Sequence, residues 1–426
     1  MFFLDNPEYT KHGYYQVDNI KTFSKFEAWK LSGQNFDKIK FIFNDDVFSA
    51  IDTTVEPEED IYELYKQRAL QIRSQYDYIV LMYSGGIDSH TILETFLNNN
   101  IYLNEICTFS NNDIESRTSK FNQEVYNSAI PFVETLDLKK LGTKFRFVNI
   151  GQMIIDQWSD NFHFENFEYY QTIVGPWRTA VNSQVLKSKI PEHRQLAQAG
   201  KSVCYVWAYE KPTILIRDRQ YGFVIPDPFN GGMGAKQYIN NHLTNGEINN
   251  IYDEAFYICR ESPKIPIKQG HMLAKLMSTM SVTDSRLKKI WEIPIFGPYI
   301  QANEANDLPG GDALFLTKTT VDQCIYPRAI IARFGDDKIY TGSTIFSPKD
   351  DWFYKSGHEN STKFIQKMKQ IINENDNLIY RRRQKRSGEK FAFAIKYIES
   401  KFYPLAATPP WMLNYADDKF LSPTPE

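Results

Sequence analysis

From Asp77 to Tyr83 the chain reads DYIVLMY, a near-continuous apolar run. Such a run without polar alternation predicts a strand buried on both faces at the centre of a parallel sheet. A glycine turn follows, and Asp88–Leu97 (DSHTILETFL) has the pattern of a helix. Leu103–Ser110 (LNEICTFS) and Lys144–Ile150 (KFRFVNI) predict second and third strands, with a polar-faced helix over Glu115–Ala129 between them. Helices are expected around Met153–Trp158 and Thr179–Lys187, then another buried strand at Ser202–Ala208 (SVCYVWA) and one more at Thr213–Ile216. Strand–helix alternation with short connections argues for an α/β unit built as a doubly wound parallel sheet.

The flanks read differently. Residues 1–75 mix short apolar runs with polar punctuation: Lys38–Phe43 (KIKFIF) predicts a strand, and Glu58–Ser74 a helix with Ile61, Leu64, Tyr65, Ala69 and Ile72 at helical spacing. Ile225–Gly234 (IPDPFNGGMG) has the composition of a loop. Beyond it, helices are expected at Asn249–Cys259 and Gln269–Met280, with a further turn at Asp284–Ile290. Ile330–Phe334 and Lys338–Thr341, flanking Gly335-Asp336-Asp337, suggest a β-hairpin. Ser361–Ile372 and Glu389–Tyr397 close the chain as expected helices, and the proline-rich tail from Pro404 is expected to be loosely held. The organisation is thus an N-terminal α+β extension over 1–75, a parallel-sheet domain over 76–245, and a mainly helical C-terminal region with a hairpin over 246–426.

Composition narrows the function classes. With 426 residues, 42% of them apolar and 24% charged, the chain can bury a sizeable core and is no candidate for wholesale disorder. Lys plus Arg number 49 against 52 Asp plus Glu, and a formal charge of −3 disfavours a globally electrostatic nucleic-acid or membrane binder. Abundant Phe and Tyr, 30 and 26, spread along the chain as core material. The four cysteines (Cys107, Cys204, Cys259 and Cys324) form no CxxC pair, so a zinc or redox centre is disfavoured and a reducing compartment is expected. The opening MFFLDNPEYTKHG lacks a basic tip, and no window reaches the roughly 18 apolar residues of a membrane helix, so a cytoplasmic protein with no membrane partner is expected.

The most informative residues are Ser84-Gly85-Gly86-Ile87-Asp88-Ser89, between the first buried strand and its helix. Open α/β sheets bind ligands at such carboxyl ends. Two glycines let the backbone approach a phosphate, the serines add hydroxyls, and the helix that follows adds its positive end. A carboxylate in an anion-binding loop repels phosphate unless a cation lies between, so Asp88 implies Mg²⁺ bridging to a polyphosphate. The bland alternative is a glycine turn with an Asp/Ser cap.

Strand–SGGxDS–helix resembles the PP-loop of the ATP pyrophosphatase superfamily, closest in style to the synthase domain of asparagine synthetase-like enzymes. The resemblance implies an adenine nucleotide α-hydrolase-like fold over about residues 77–210, with Ser84, Gly85, Gly86, Ile87, Asp88 and Ser89 holding the pyrophosphate of ATP. It implies attack of a substrate oxygen on the α-phosphate, an adenylated intermediate, and displacement of AMP by a nitrogen nucleophile. The strand after the loop helix would end where adenine docks, at Thr108, Phe109 and Ser110, and Asp88 would serve both catalysis and the metal. Glu210, after the SVCYVWA strand, stands as a metal or substrate ligand or as a surface partner of Lys211, since the GDGADE-type loop of the asparagine branch is missing. Lys268, near Lys264 at a proline-bounded helix start, is the candidate to stabilise departing pyrophosphate.

Other patterns cut against neighbouring chemistries. Ala199-Gly200-Lys201-Ser202 mimics the end of a Walker A loop, but Gln195 replaces its first glycine and the segment leads into a strand. Phe2 follows Met1 where glutamine-using relatives of the asparagine synthetase type carry a nucleophilic cysteine, and no cysteine precedes Cys107, so the chain is expected not to make its own ammonia in that way. The basic cluster Arg381-Arg382-Arg383-Gln384-Lys385-Arg386 reads as a solvated helix face or linker, or as a phosphate contact to ATP or nucleic acid. The expected function is an ATP-dependent, AMP- and PPi-forming ligase acting on a small-molecule acceptor. The alternatives are a PP-loop enzyme modifying a nucleobase in RNA or DNA through Arg381–Arg386, and a non-catalytic adenine-nucleotide binder.

Overall fold

The computed structural model describes residues 10–110, 125–149, 190–208, 212–217, 220–225, 250–278, 379–382, 392–395, 398 and 400–407, with Glu359 and Gln366 as single helical positions. Near the amino end, β1 (Tyr14–Val17) pairs antiparallel with both β2 (Ile20–Thr22) and β3 (Ile39–Ile42). Alternation and register put Tyr15 and Val17 beside Phe41 and Ile39 on one buried face. Helix α1 (Lys25–Leu31) lies between β2 and β3 and is capped by the Ser24 side chain, which accepts from Glu27 N. A short α2 (Asp45–Phe48) follows β3. Helix α3 (Ile61–Gln75), capped by Asp60, buries Ile61, Leu64, Tyr65, Ala69 and Ile72, the predicted stripe.

The α/β unit begins with β4 (Tyr78–Met82) and α4 (Ile87–Asn98). Then come β5 (Glu105–Ser110), a π-helical turn at Val125–Ala129, the short helices α5 (Ile130–Glu134) and α6 (Leu138–Leu141), and β6 (Lys144–Asn149). After them come α7 (Pro191–Gln198), β7 (Val203–Trp207), β8 (Thr213–Arg217), β9 (Gln220–Val224), β10 (Ile251–Ala255) and α8 (Lys264–Ser278). Five strands form one all-parallel sheet in the order β10-β7-β4-β5-β6. The chain therefore winds outward from β4 through β5 to β6, crosses back to β7, and winds outward the other way to β10. Between β4 and β7 that direction reverses, the place where open α/β sheets bind ligands at the carboxyl ends of their strands.

Helices cover both faces. On one, His193 of α7 reaches Tyr205 and Glu105; on the other, Arg68 of α3 reaches Glu254. Ile79, Val80, Leu81, Val203, Cys204, Tyr205 and Val206 are all fully buried, as their unbroken apolar runs foretell.

Three expectations are corrected. The helix expected at Asn249–Cys259 is the edge strand β10, which runs parallel to β7 with Ile251 opposite Val203 and Ala255 opposite Trp207, so the sheet takes in residues past 245. Its charged residues are buried by distant partners: Asp253 accepts from Trp207 Nε1 at 2.7 Å, and Glu254 is paired with Lys11 and Arg68. The helix expected at Glu389–Tyr397 contains instead the strand β12 (Ala392–Ile395), paired antiparallel with β11 (Ile379–Arg382), which puts Arg381 and Arg382 on a strand rather than on a helix face or linker. Phe391, Phe393, Ile395 and Tyr397 recur at every second position, the strand period. The tail expected to be loose from Pro404 begins in a strand: β13 (Tyr403–Ala407) joins β9 and β8 in an antiparallel sheet, with Tyr403 and Leu405 buried. Helix α8 packs against that sheet so closely that a Cβ on Gly270 would come 2.8 Å from Leu405 Cδ1.

The helices expected at Met153–Trp158, Thr179–Lys187 and Ser361–Ile372, the hairpin around Gly335, and most of the 115–129 helix lie outside the described residues, apart from Gln366 and the turn at Val125–Ala129. Among the described residues no helix is long and apolar enough to cross a membrane.

Candidate functional site

The Ser84–Ser89 turn stands at the carboxyl end of β4, at the reversal of the strand order. Tyr83 is the last residue held by the sheet: its N–H donates to Cys107 O at 2.8 Å, and Thr108 Oγ1 donates to its carbonyl at 2.8 Å. The chain then turns at Gly85, whose φ of +80° is left-handed and selects glycine. Gly86 is extended and is the N-cap of α4, with no side chain bonding to the helix end.

Two serines close a small ring over this turn. Ser89 Oγ donates to Gly86 O at 3.0 Å and accepts from Ser84 N at 3.2 Å. That leaves Ser84 Oγ to donate to Ser89 Oγ at 3.0 Å, while it accepts from Gly86 N at 3.3 Å. The first amide bonded back along α4 is His90 N, on Gly86 O at 2.9 Å. By helix geometry the amides of the turn before it point out of the positive end of α4. Asp88 stands in that first turn, half-buried, so one carboxylate accompanies the amides and hydroxyls.

Side chains from remote segments brace the turn from below. Ser128 Oγ donates to Gly85 O at 3.1 Å, and Tyr257 OH donates to Asp88 O at 2.6 Å. The Tyr83 hydroxyl lies 2.9 Å from His90 Nδ1, and His90 Nε2 lies 3.4 Å from Glu94 Oε1, which fixes α4 against the end of β4. None of Ser128, Tyr257 and His90 stood out in the sequence. The roles of Ser128 and Tyr257 depend on contacts 43 and 169 residues away, for which a single sequence holds no signal.

Of the residues expected at the adenine position, Thr108 and Ser110 are buried, and the Thr108 hydroxyl is committed to Tyr83 O. Phe109 is half-buried, with its ring centroid 6.5 Å from that of Trp207 across β4. Ser84 through Ser89 and Thr108 through Ser110 therefore come together at one sheet edge. Lys268 Nζ donates to Pro57 O at 2.8 Å and pairs with Glu56 at 2.7 Å, in the loop ahead of α3. That contact holds the Glu56 carboxyl below its usual range. Glu210 and Arg383–Arg386 lie outside the described residues. Gly200, with φ +82°, closes α7 ahead of β7, so the Walker-like letters are a helix stop.

Among the described residues no group of three or more His, Cys, Asp or Glu side chains is arranged to hold a metal. Cys107, Cys204 and Cys259 are free and buried, and burial raises all three thiols, Cys259 to about 11. Thiols so shielded are poor nucleophiles. A groove of about 400 Å³ between α3 and α4, lined by Asp60, Lys66, Glu94 and Asn98 among others, shares no residue with the turn. The turn is therefore the one place described where backbone amides, hydroxyls and a carboxylate converge at a strand-order reversal. No protein-family model matches this chain, and no curated protein matches it.

Proposed function

We propose that the chain is an ATP-dependent, AMP- and PPi-forming ligase of the PP-loop type, with an adenine nucleotide α-hydrolase-like fold around its parallel sheet. The observation that carries this reading is the Ser84–Ser89 turn: a left-handed glycine and an uncapped helix start at the carboxyl end of the central strand. The donor set suits a polyphosphate. Amides of the first turn of α4 and the hydroxyls of Ser84 and Ser89 would take phosphate oxygens, their internal ring exchanging for the ligand.

The residues present also suit Mg²⁺, which takes one or two carboxylates and completes its shell with phosphate oxygens and water. Asp88 would be the protein ligand, with Glu210 as a second candidate. When bound, the metal neutralises charge on the leaving pyrophosphate. The protein's own contribution is to hold the β- and γ-phosphates still and to aim the α-phosphorus at the acceptor oxygen. Phe109, beside Trp207, offers a ring face for the base.

The test is product analysis with ATP labelled at the α-phosphate, using carboxylic acids, amino acids, nucleosides, RNA and DNA as acceptors, each with ammonia as the nitrogen nucleophile that displaces AMP. The expected outcome is acceptor-dependent release of AMP and PPi that is lost in Asp88→Asn. Formation of ADP and phosphate would sink the mechanism. Nucleotide binding with no turnover under any condition would assign the chain a binding role instead.

A further inference from the structure

A loop that grips phosphate must turn its carbonyl oxygens away from the ligand, and each buried carbonyl turned away needs a donor of its own. Gly85 O, ahead of α4, finds such a donor in Ser128 Oγ at 3.1 Å, and Asp88 O, a carbonyl of the first turn of α4, takes a bond from the Tyr257 hydroxyl at 2.6 Å in addition to the helix's own. We infer that Ser128 and Tyr257 are positioning residues that set the affinity of this turn for the pyrophosphate end of its ligand, an inference that rests on the phosphate-binding reading above.

The peptide unit is planar and trans, so fixing a carbonyl fixes the N–H on the opposite side of the same plane. Anchoring Gly85 O therefore aims the Gly86 amide, and anchoring Asp88 O aims the Ser89 amide. The Gly86 amide rests on a long bond of 3.3 Å to Ser84 Oγ, a contact readily exchanged for a phosphate oxygen. The Ser89 amide belongs to the first turn of α4 and faces out of its positive end.

The two anchors are themselves rigid and independent. Ser128, 3% exposed, sits in the π-helical turn that follows β5, whereas Tyr257, 0% exposed, follows β10. Those strands lie on opposite sides of β4 in the sheet order. The Tyr257 ring packs edge-on against Tyr65 at 5.4 Å, and Tyr65 OH accepts from Gln269 Nε2 at 2.9 Å, so α3 and α8 hold the phenol in place. Packing belongs to the ring and the anchoring to the hydroxyl, which makes the two separable by substitution.

The experiment measures binding of inorganic pyrophosphate with Mg²⁺, and separately of AMP, by calorimetry on the full chain, its Tyr257→Phe variant and its Ser128→Ala variant. Each variant is expected to weaken pyrophosphate binding about three- to tenfold, the loss set by one hydrogen bond, with AMP affinity unchanged. Should one variant fail to fold, the other carries the same test from the opposite side of β4. Equal pyrophosphate affinity in wild type and in a folded variant overturns the inference and leaves the phosphate-loop reading standing. Equal losses for pyrophosphate and AMP, with a lowered melting temperature, assign the hydroxyls a structural role only and overturn it too. A wild-type chain that binds no pyrophosphate sinks the loop reading and the inference together.

Discussion

Lys11 Nζ lies 2.8 Å from Glu254 Oε1, an ion pair across 243 residues that fastens the segment ahead of β1 to the edge strand of the parallel sheet. Arg68 Nη2 holds the other carboxylate oxygen at 2.7 Å, and Tyr76 OH donates to Oε1 at 2.5 Å. Burial opposes ionisation of Glu254, but the two cations and the hydroxyl outweigh it and hold the carboxyl well below the usual range.

Removing that charge strands two cations in the interior. Glu254→Gln is therefore expected to cost about 3–5 kcal/mol of unfolding free energy, the toll of breaking a buried pair from one side. Urea unfolding should show a lower midpoint at unchanged slope. A loss under about 1 kcal/mol would mean that Lys11 and Arg68 reach water more easily than their burial indicates.

A second buried carboxylate makes stability depend on acid. Glu105, in β5, takes Arg146 Nε at 2.6 Å, Tyr78 OH at 2.9 Å and His193 Nε2 at 3.1 Å. Burial alone would raise its pKa, but the bonds from His193 and Arg146 reverse that and bring it down to about 2. An ordinary glutamate titrates near 4.3. The depressed value means that the contribution is fully present above the unfolded pKa and is lost as pH falls toward 2. Wild type should lose on the order of 3 kcal/mol more than Glu105→Gln between pH 5 and pH 2. Superimposable acid profiles for the two proteins would refute it.

These two carboxylates also mark where the sequence stops being readable. Strands β4, β5, β6 and β7 and helices α3 and α4 were legible because their patterns are local: unbroken apolar runs for β4 and β7, short runs rich in β-branched and aromatic residues for β5 and β6, and an apolar stripe for α3. The glycine turn was legible for the same reason, since only a strand, a left-handed glycine and a helix start are needed to define it. Strand β10 was not. Asp253 and Glu254 interrupt its apolar run, and Ile251, Ala255 and Ile258 fall at helical spacing, so the segment looks like a helix face. What makes it a strand is that Trp207, Lys11 and Arg68 satisfy those carboxylates from afar. The anchors Ser128 and Tyr257 escaped notice for the same physical reason: a hydroxyl that braces a distant carbonyl has no local pattern.

Whether Lys268 acts on the ligand turns on what its ammonium already holds. Its ammonium is engaged by Glu56 and Pro57 O, and Glu56 is 46% exposed, so the pair is partly screened by solvent. Lys268→Met is expected to leave pyrophosphate affinity within about twofold of wild type and to lower stability by no more than about 1 kcal/mol. Calorimetric titration with pyrophosphate and Mg²⁺ checks this. A large loss of affinity would mean that the ammonium leaves Glu56 for the ligand, and would restore Lys268 to the machinery of the reaction.

The two glycines of the turn make different demands, and substitution can tell them apart. Gly85 has φ +80°, where a side chain costs about 1–2 kcal/mol, whereas Gly86 has φ −73°, which any residue adopts. Gly85→Ala should therefore be the less stable variant by about that amount in urea unfolding. A chain that relaxes the strain by rotating Gly85 to negative φ must swing its carbonyl off Ser128, and the Gly86 amide turns with it. Pyrophosphate binding should then fall about tenfold or more in Gly85→Ala, a loss comparable to or greater than that of a single hydrogen bond. Equal stabilities for Gly85→Ala and Gly86→Ala would mean that the left-handed bend is not what holds the turn open, and that its shape comes instead from the Ser84–Ser89 ring.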